Sequence, residues 1–583
     1  MSNPLAERGL SRRRLLGLAA AAPILSRLHL LSDADPLTWH DRWALSLAAP
    51  AIPEALANGA SVLSTVAPYR LVDTRTEPSA PFGFQRLDAN TIRVRVAGDP
   101  LPSGAVAAVL NVTMTNPSGP GFVSVYPSGE PRGQFSSINV ERPGQTLANL
   151  VTVRLGVDGS VDMYCLRPAD LIVDVSGAYV PVGGAVSAGR FVGLAKARRV
   201  FDSRERGWPV APGVTERVSL TNAAVPTTAS AVVVNLTVTE TAAAGYWTGF
   251  ASGRPKPNSS NLNTDAAGQT RANQAILPIS GLAAIDVFSQ TGGHLIVDVA
   301  GYFTGSTSAA SSDGLFVPSS PKRTIDTREV PAYGRMYPGW VCEMGFDGQA
   351  AAQAAVINLT TTETRGAGFF TAYPARTDRP VPASNLNATN ANQTIANHAI
   401  VATSTTGLAV YTQSGGAVIA DVAGYYTGRP VPSVYAPTVN VVPPPAALPY
   451  TMTIPKLGLV RTVYEGVGTN VVDGGFIGHW PGTGLCGELN HMVLFAHRTE
   501  HGGPLRNVHL IGPGDEVIFD TADGRRFRYG YWNRTITTPS ATAIYEAGLG
   551  SPAPNMSLVA CSKTNYLPTD TNYRIVVNFT QLD

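Results

Sequence analysis

Ser557-Leu-Val-Ala-Cys561 and Arg574-Ile-Val-Val577, separated by a polar loop, decide how the end of this chain folds. Each is a short apolar run of strand type, and a loop of that length joins antiparallel neighbours. The first run ends in a thiol and the second begins with a guanidinium, so pairing puts Cys561 and Arg574 at one end of a sheet. Upstream, Met492-Val-Leu-Phe-Ala-His497-Arg498 is a third apolar run, ending in an imidazole. A thiol, an imidazole and a guanidinium at three strand ends form a nucleophile, a proton carrier and an anion donor. The remaining runs from Tyr450 onward are also short and strand-like: Leu457–Tyr464, Glu516–Asp520 and Arg526–Trp532. A short helix is expected at Ala541–Ala547.

Working outward, self-comparison shows that most of the chain is one module written three times. Asp73-Thr-Arg75 returns as Asp202-Ser-Arg204 and Asp326-Thr-Arg328. Asn111 returns as Asn235 and Asn358, Asn139 as Asn263 and Asn387, and Asn149 as Asn273 and Asn397. The copies close on Leu171-Ile-Val-Asp174, Leu295-Ile-Val-Asp298 and Val418-Ile-Ala-Asp421. This period is too long for a solenoid unit, so each copy is expected to be an independent domain. Runs such as Val106–Thr115, Gly121–Tyr126, Leu150–Leu155, Ser160–Tyr164 and Leu171–Val175 alternate apolar and polar residues between turn residues. They predict an antiparallel β-sandwich of jelly-roll type, with a β-barrel as the alternative.

The closing aspartates lie inside apolar strands, where a carboxylate needs a partner. The triplet arginine is the expected one, with the triplet pinning a loop. The asparagines are read as bonding turn backbone. Gly245-Tyr-Trp-Thr-Gly249 holds aromatics that are read as core or edge in preference to a sugar platform. Gly428-Arg-Pro-Val-Pro432 and Val442-Pro-Pro-Pro445 then predict a stiff, extended linker that holds the last domain away from the repeats.

The fold class is therefore all-β: three tandem sandwich modules followed by a further β domain. The boundaries are 1–60 (signal and N-terminal segment), 61–183, 186–305 and 311–429 (modules), 430–449 (linker) and 450–583 (last domain). The 583 residues carry a net charge of +2, which gives no electrostatic footprint for nucleic acid. Four cysteines, Cys165, Cys342, Cys486 and Cys561, are too few for a disulfide framework in so long a chain. Cys165 and Cys342 fall in different repeats and are read as buried small side chains or lone thiols. No Cys-x-x-Cys or His-x-x-x-His spacing is read as a zinc site.

Near the start, Ser11-Arg-Arg-Arg14 precedes the apolar Gly17–Leu25. This resembles a twin-arginine (Tat) export signal and implies an exported protein, released or held at the cell surface by an uncleaved segment.

Residues 450–583 resemble a sortase, the cysteine transpeptidase of Gram-positive surfaces. The matching stretches are Ile454-Pro-Lys-Leu-Gly458, Gly478-His-Trp-Pro-Gly-Thr483, Leu494-Phe-Ala-His497-Arg498, Pro513-Gly-Asp515, Ser557-Leu-Val-Ala-Cys561 and Arg574. The pattern of Gly478–Thr483 with His497-Arg-Thr499 is most similar to the actinobacterial classes E and F. The resemblance implies a closed barrel of about eight strands. It implies Cys561 as nucleophile, His497 as proton carrier and Arg574 as donor to the oxyanion or the substrate backbone. It implies cleavage of a Leu-Pro-x-Thr-Gly or Leu-Ala-x-Thr-Gly sorting signal through a thioacyl enzyme, and transfer to a cell-wall amine. No metal or organic cofactor is needed for that chemistry.

Three departures from the family pattern are Ala560 for the usual threonine, Ala496 for the usual glycine and Cys486 for the usual proline. A Cys486–Cys561 disulfide would silence the enzyme by oxidation. The expected partners are sorting-signal peptides, a peptidoglycan amine and wall glycan bound by the repeats. Two rival readings are a surface structural or glycan-binding protein with a degenerate last domain, and a cysteine hydrolase that uses water as acceptor.

Overall fold

A computed structural model describes residues 59–76, 83–440, 446–488, 491–538, 555–566 and 572–582. The twin-arginine segment and the helix expected at Ala541–Ala547 lie outside these residues. Among the described residues no helix is long and apolar enough to cross a membrane.

Each repeat folds as two antiparallel sheets stacked face to face. In the first, an inner sheet runs Ser61–Asp73, Asp170–Pro181, Ala107–Thr115, Leu147–Arg154. An outer sheet runs Phe84–Arg86, Thr91–Arg95, Ser160–Cys165, Gly121–Pro127, Ile138–Val140. The second and third repeats copy this plan with four strands in each sheet. Val94, Leu110, Val125, Met163 and Val173 fill the first sandwich, and Val234, Trp247, Ile285 and Val297 fill the second. Trp247 is fully buried, so it is core and offers no sugar platform.

The repeats are not independent domains. Ser61 pairs with Phe316, which fuses the first and third inner sheets. Leu63, Tyr179, Phe191, Phe303, Phe316 and Tyr426, two from each repeat, meet in one shared core. The Phe191 and Tyr426 rings lie 4.5 Å apart and those of Tyr179 and Phe316 4.3 Å apart. Apolar surface that a lone sandwich would leave wet on its inner sheet is buried against the other two copies.

Polar contacts run round the same ring. Asn111 donates to the Ser260 carbonyl (2.6 Å), Asn235 to that of Ser384 (2.8 Å) and Asn358 to that of Ser136 (2.6 Å). In the reverse sense, Asn149 donates to Asn358 (2.9 Å), Asn273 to Asn111 (3.1 Å) and Asn397 to Asn235 (3.0 Å). First to second, second to third and third to first, the contacts close a pseudo-threefold ring. The expectation that all these asparagines serve local turns fails for this set. Asn139, Asn263 and Asn387 do accept locally, from Ser136, Ser260 and Ser384.

The buried aspartates are paired, but not with the triplet arginines. Arg70 Nε donates to Asp174 (2.6 Å), Arg199 to Asp298 (2.9 Å) and Arg323 to Asp421 (2.7 Å). Arg75 instead turns back on Asp73 of its own triplet, at 2.8 Å and 2.7 Å, as Arg204 and Arg328 do on theirs. The reason is register. Arg70 lies directly across from Asp174, whereas Arg75 has already left the strand. The free end of each bridging guanidinium reaches the next repeat, at the carbonyls of Asn258, Pro382 and Gln134.

The last domain is a closed eight-stranded barrel. Its strands are β1 (Tyr450–Ile454), β2 (Leu459–Glu465), β3 (Ile477–His479), β4 (Met492–Phe495), β5 (Glu516–Thr521), β6 (Arg526–Thr537), β7 (Asn555–Ser562) and β8 (Tyr573–Gln581). Round the barrel they run β1-β2-β3-β4-β7-β8-β6-β5. The pairs β2–β3 and β4–β7 are parallel and the others antiparallel. Met452, Leu494, Phe519, Leu558, Ile575 and Val577 fill the interior.

The described part of the connection, 430–440, packs on the third repeat, where Asn440 exchanges hydrogen bonds with the Val341 backbone (3.0 and 2.7 Å); the prolines at 443–445 lie outside the described residues. The barrel itself docks there. Buried Arg335 donates to the carbonyls of Glu363 (2.6 Å), Thr364 (3.1 Å) and Gln581 (2.8 Å), the last at the end of β8. Tyr337 donates to the Gly487 carbonyl (3.1 Å), and the Arg365 guanidinium lies over its ring at 4.4 Å. Burial pulls the Arg335 guanidinium down to about 9.

Candidate active site

β7 and β8 bring the thiol and the guanidinium together by register. Cys561 and Arg574 are antiparallel partners, with Cα atoms about 5 Å apart. Both stand on the face of β7–β8 turned away from the interior, because Leu558 and Ala560 and then Ile575 and Val577 point into the core. Along that face Cys561 and Arg574 are followed by Val559 and Val576, which pack with Val493 and Phe495. Ser557 and Asn578 come next, hydrogen-bonded to each other. Asn578 donates on to Asn533 (2.7 Å), and His491 Nε2 meets Ser557 Oγ at 2.8 Å. The face thus carries the thiol and guanidinium, then an apolar strip, then a polar row.

β4 lies parallel to β7 on its other side, with Phe495 opposite Val559. The Ala496 amide still reaches the Val559 carbonyl (3.4 Å). β4 ends at Phe495, and His497 follows Phe495 by two residues as Cys561 follows Val559. The next residue fixes that junction. Arg498 is fully buried and donates to the carbonyl of Cys561 (3.1 Å), Ser562 Oγ (3.2 Å) and the carbonyls of Arg506 and Tyr566 (3.1 and 3.0 Å). Its Nη2 also lies 3.0 Å from His509 Nδ1. Burial holds this guanidinium below its ordinary range. One side chain therefore ties the end of β4, the 506–509 loop and the backbone of the thiol-bearing residue.

His497 does not stand alone. Its Nε2 lies 2.9 Å from Asp473 Oδ1, and its ring lies against that of His501, with centroids 4.8 Å apart. Asp473 follows the short helix α1 (Thr469–Val472), and its carboxylate is 3.8 Å from His501 Nε2 as well. Sequence reading does not single out Asp473, and it takes no zinc signal from the His497-x-x-x-His501 spacing that the fold brings to Asp473. Asp473 gives no local sign, since its approach depends on how α1 packs.

The other histidines have structural places. His479 is buried between Glu465 (2.7 Å) and the Gly484 carbonyl (2.9 Å), closing the 479–484 turn. Burial depresses His491 to about 4. Asn533, which accepts from Asn578, lies on the same outer face, and Arg534 donates to the carbonyls of His509 and Ile511.

All four cysteines are free. Cys486 sits in the barrel core, where burial raises its thiol and the Tyr450 and Tyr529 hydroxyls bond to it. Cys561 is half-buried on the opposite side of β7, so the two thiols do not face each other for a Cys486–Cys561 disulfide.

Residues 452–581 match the family model described as the sortase domain, less than a quarter of the chain. Sortase SrtE1 of Streptomyces coelicolor is 29% identical over 121 residues, covering 19% of this chain and 34% of that protein. The chain therefore spans about a third of the length of that curated relative. Among solved structures, the SrtA sortase from Actinomyces oris is 21% identical, with a TM-score of 0.23, over 24% of this chain and 86% of that one. Sortase E1 from Streptomyces coelicolor, solved with a tripeptide in the active site, is 24% identical, with a TM-score of 0.20, over 23% and 88%.

Proposed function

We propose that residues 450–583 are the catalytic domain of an exported sortase-type cysteine transpeptidase. In this reading Cys561, activated as thiolate, attacks the carbonyl of a Thr–Gly-type bond in a sorting signal. Arg574, directly across the strand pair, donates to the oxyanion of the tetrahedral intermediate. His497 gives a proton to the departing glycine amine, and the acyl group stays on sulfur. An incoming cell-wall amine gives its proton back to His497 as it displaces the thiolate, which closes the cycle. Asp473, bonded at Nε2, orients the imidazole.

One observation supports the reading: Cys561 and Arg574 are register partners on β7 and β8, and β4, which ends two residues before His497, pairs with β7. The match of residues 452–581 to the sortase domain supports it. The twin-arginine pattern at Arg12–Arg14 supports export. The repeats serve as a rigid ring on which the catalytic barrel is mounted, and any wall-glycan contact belongs on their outer surfaces.

The test is trapping. The protein is incubated with a panel of Leu-Pro-x-Thr-Gly and Leu-Ala-x-Thr-Gly pentapeptides and examined by intact-mass measurement. The expected result is an acyl adduct on Cys561 that an added glycine or diaminopimelate amine discharges as a ligated product. An adduct that forms equally on Cys561→Ala, or none with any peptide, overturns the reading. Release of free acid only, whatever amine is added, favours the hydrolase.

A further inference from the structure

We infer that Asp473, His497 and His501 form a binding site for a borderline divalent metal ion of the Zn2+ type, and that metal bound there switches the catalytic histidine off. The three ligand atoms lie within 4.8 Å of one another. His497 Nε2 and His501 Nε2 stand 2.9 and 3.8 Å from Asp473 Oδ1. Zinc bonds of 2.0–2.2 Å in tetrahedral array separate neighbouring ligand atoms by about 3.3 Å, between those two distances. Both separations from Asp473 Oδ1 are thus within about half an ångström of that value, and all three ligand atoms lie within 4.8 Å, so rotation of the exposed His501 ring toward His497 closes the site round an ion.

The backbone holds the ligands in place. The His501, Gly502 and Gly503 backbones are all left-handed, with φ of 50°, 80° and 49°, which turns the chain back after Glu500. The turn stacks the His501 ring on His497 and is closed by the Gly503 amide on the Glu500 carbonyl (2.8 Å) and the Leu505 amide on the His497 carbonyl (3.0 Å). A Cβ on Gly503 would lie 2.4 Å from the Arg498 carbonyl, so this approach requires glycine. Asp473 comes from a different part of the fold, after α1.

The ligand set selects the ion. Two imidazoles and one carboxylate suit Zn2+, Co2+ or Ni2+, whereas Ca2+ and Mg2+ want oxygen donors throughout. The three side chains are 25%, 34% and 40% exposed, which leaves the outer side of the site open to solvent for a fourth ligand. A metal on His497 Nε2 displaces the Asp473 hydrogen bond and takes the lone pair of that nitrogen. With Nε2 held by the metal, the ring can no longer become the doubly protonated cation that gives a proton to the leaving amine, and it loses the orientation set by the Asp473 hydrogen bond. The inhibitory consequence rests on the sortase reading, whereas the metal site itself does not.

The experiment uses the full chain without a histidine tag, stripped with EDTA. Co2+ titration is followed by its visible d–d absorption and Zn2+ titration by calorimetry. The expected result is one tight equivalent, weakened about tenfold or more in His501→Ala and in Asp473→Asn. In the peptide-capture assay Zn2+ is expected to inhibit wild type reversibly. Its half-inhibiting concentration should rise about tenfold in His501→Ala, each protein being measured against its own metal-free rate. A Co2+ spectrum that stays octahedral, or binding indifferent to both substitutions, overturns the site and leaves the cluster as a hydrogen-bonded support for His497. Metal binding without any peptide capture retains the site and removes the transpeptidase. Binding that leaves capture unchanged removes the switch.

Discussion

Cys561 and Arg574 are direct register partners on β7 and β8, facing the same side of the sheet. Their roles are separable by substitution. Cys561→Ala is expected to abolish adduct formation while changing unfolding free energy by less than about 1 kcal/mol, because the side chain is small and half-buried. Arg574→Ala should keep the thiol and lose the oxyanion donor, lowering kcat/KM by about 10²–10³. Arg574→Lys should recover part of that loss, since charge returns without the planar fork. Single-turnover capture rates check both; an Arg574→Ala rate within about threefold of wild type would exclude the donor role.

Arg498 makes a different prediction, because it touches backbone rather than substrate. Arg498→Met keeps the bulk but leaves the carbonyls of Cys561, Arg506 and Tyr566 without this donor in a buried place. A cost of about 3 kcal/mol is expected for an unpaired buried network. Capture should fall together with the melting temperature of the barrel. Arg498→Lys, which reaches fewer of these acceptors, should fall between. A variant that loses capture with an unshifted melting transition would instead give Arg498 a direct catalytic part.

The buried His398 sets the acid limit of the repeat ring. It lies between Gln274 Oε1 (2.9 Å) and Thr152 Oγ (3.0 Å), one residue from each of the other repeats. Burial depresses it to about 3, against about 6.5 in an unfolded chain. Between those values the unfolded state binds the extra proton, so stability is full above pH 6.5 and falls as pH drops toward 3. The share lost by pH 5 is about 2 kcal/mol. The stability difference between pH 7.5 and pH 5 should therefore shrink by about that much in His398→Gln, measured by denaturant unfolding of the ring signal. An identical pH slope in both proteins rejects the assignment.

What the sequence made legible follows from how locally each feature is encoded. The strands and the sandwich class came from alternation within single runs. The Cys561–Arg574 pairing came from two apolar runs consecutive in sequence, one ending in the thiol and the next beginning with the guanidinium. The ring was not legible, since Asn111 and Ser260 are far apart in the chain and nothing near either marks the contact. The Asp174 partner was misread for a related reason. Proximity in a motif favoured Arg75, but strand register places Arg70 opposite. The linker was read from its prolines alone, and stiffness says nothing about the surface it lies on. The Asp473–His497–His501 cluster was half-encoded, as a histidine spacing whose third member arrives only with the fold.

The docking of the barrel on the third repeat gives the last prediction. Arg335 is buried, has no carboxylate among its hydrogen-bond partners, and spends its donors on three carbonyls, one of them that of Gln581 at the end of β8. β8 begins with the segment that carries Arg574, so this contact anchors the far end of that strand. Arg335→Leu removes the anchor and leaves the Gln581 carbonyl without this donor, a penalty of about 1–3 kcal/mol concentrated at the interface. Local opening, rather than global unfolding, is the expected response. Amide exchange at Leu582, whose N–H bonds the Arg528 carbonyl (2.7 Å), should accelerate by about tenfold. Amides in the inner sheets of the repeats, such as Val234 and Val356, should hold their protection. Tyr337→Phe, which loses only the bond to the Gly487 carbonyl, should show the same pattern more weakly. Equal acceleration throughout the ring and the barrel would mean that Arg335 supports the whole fold rather than the junction between its two parts.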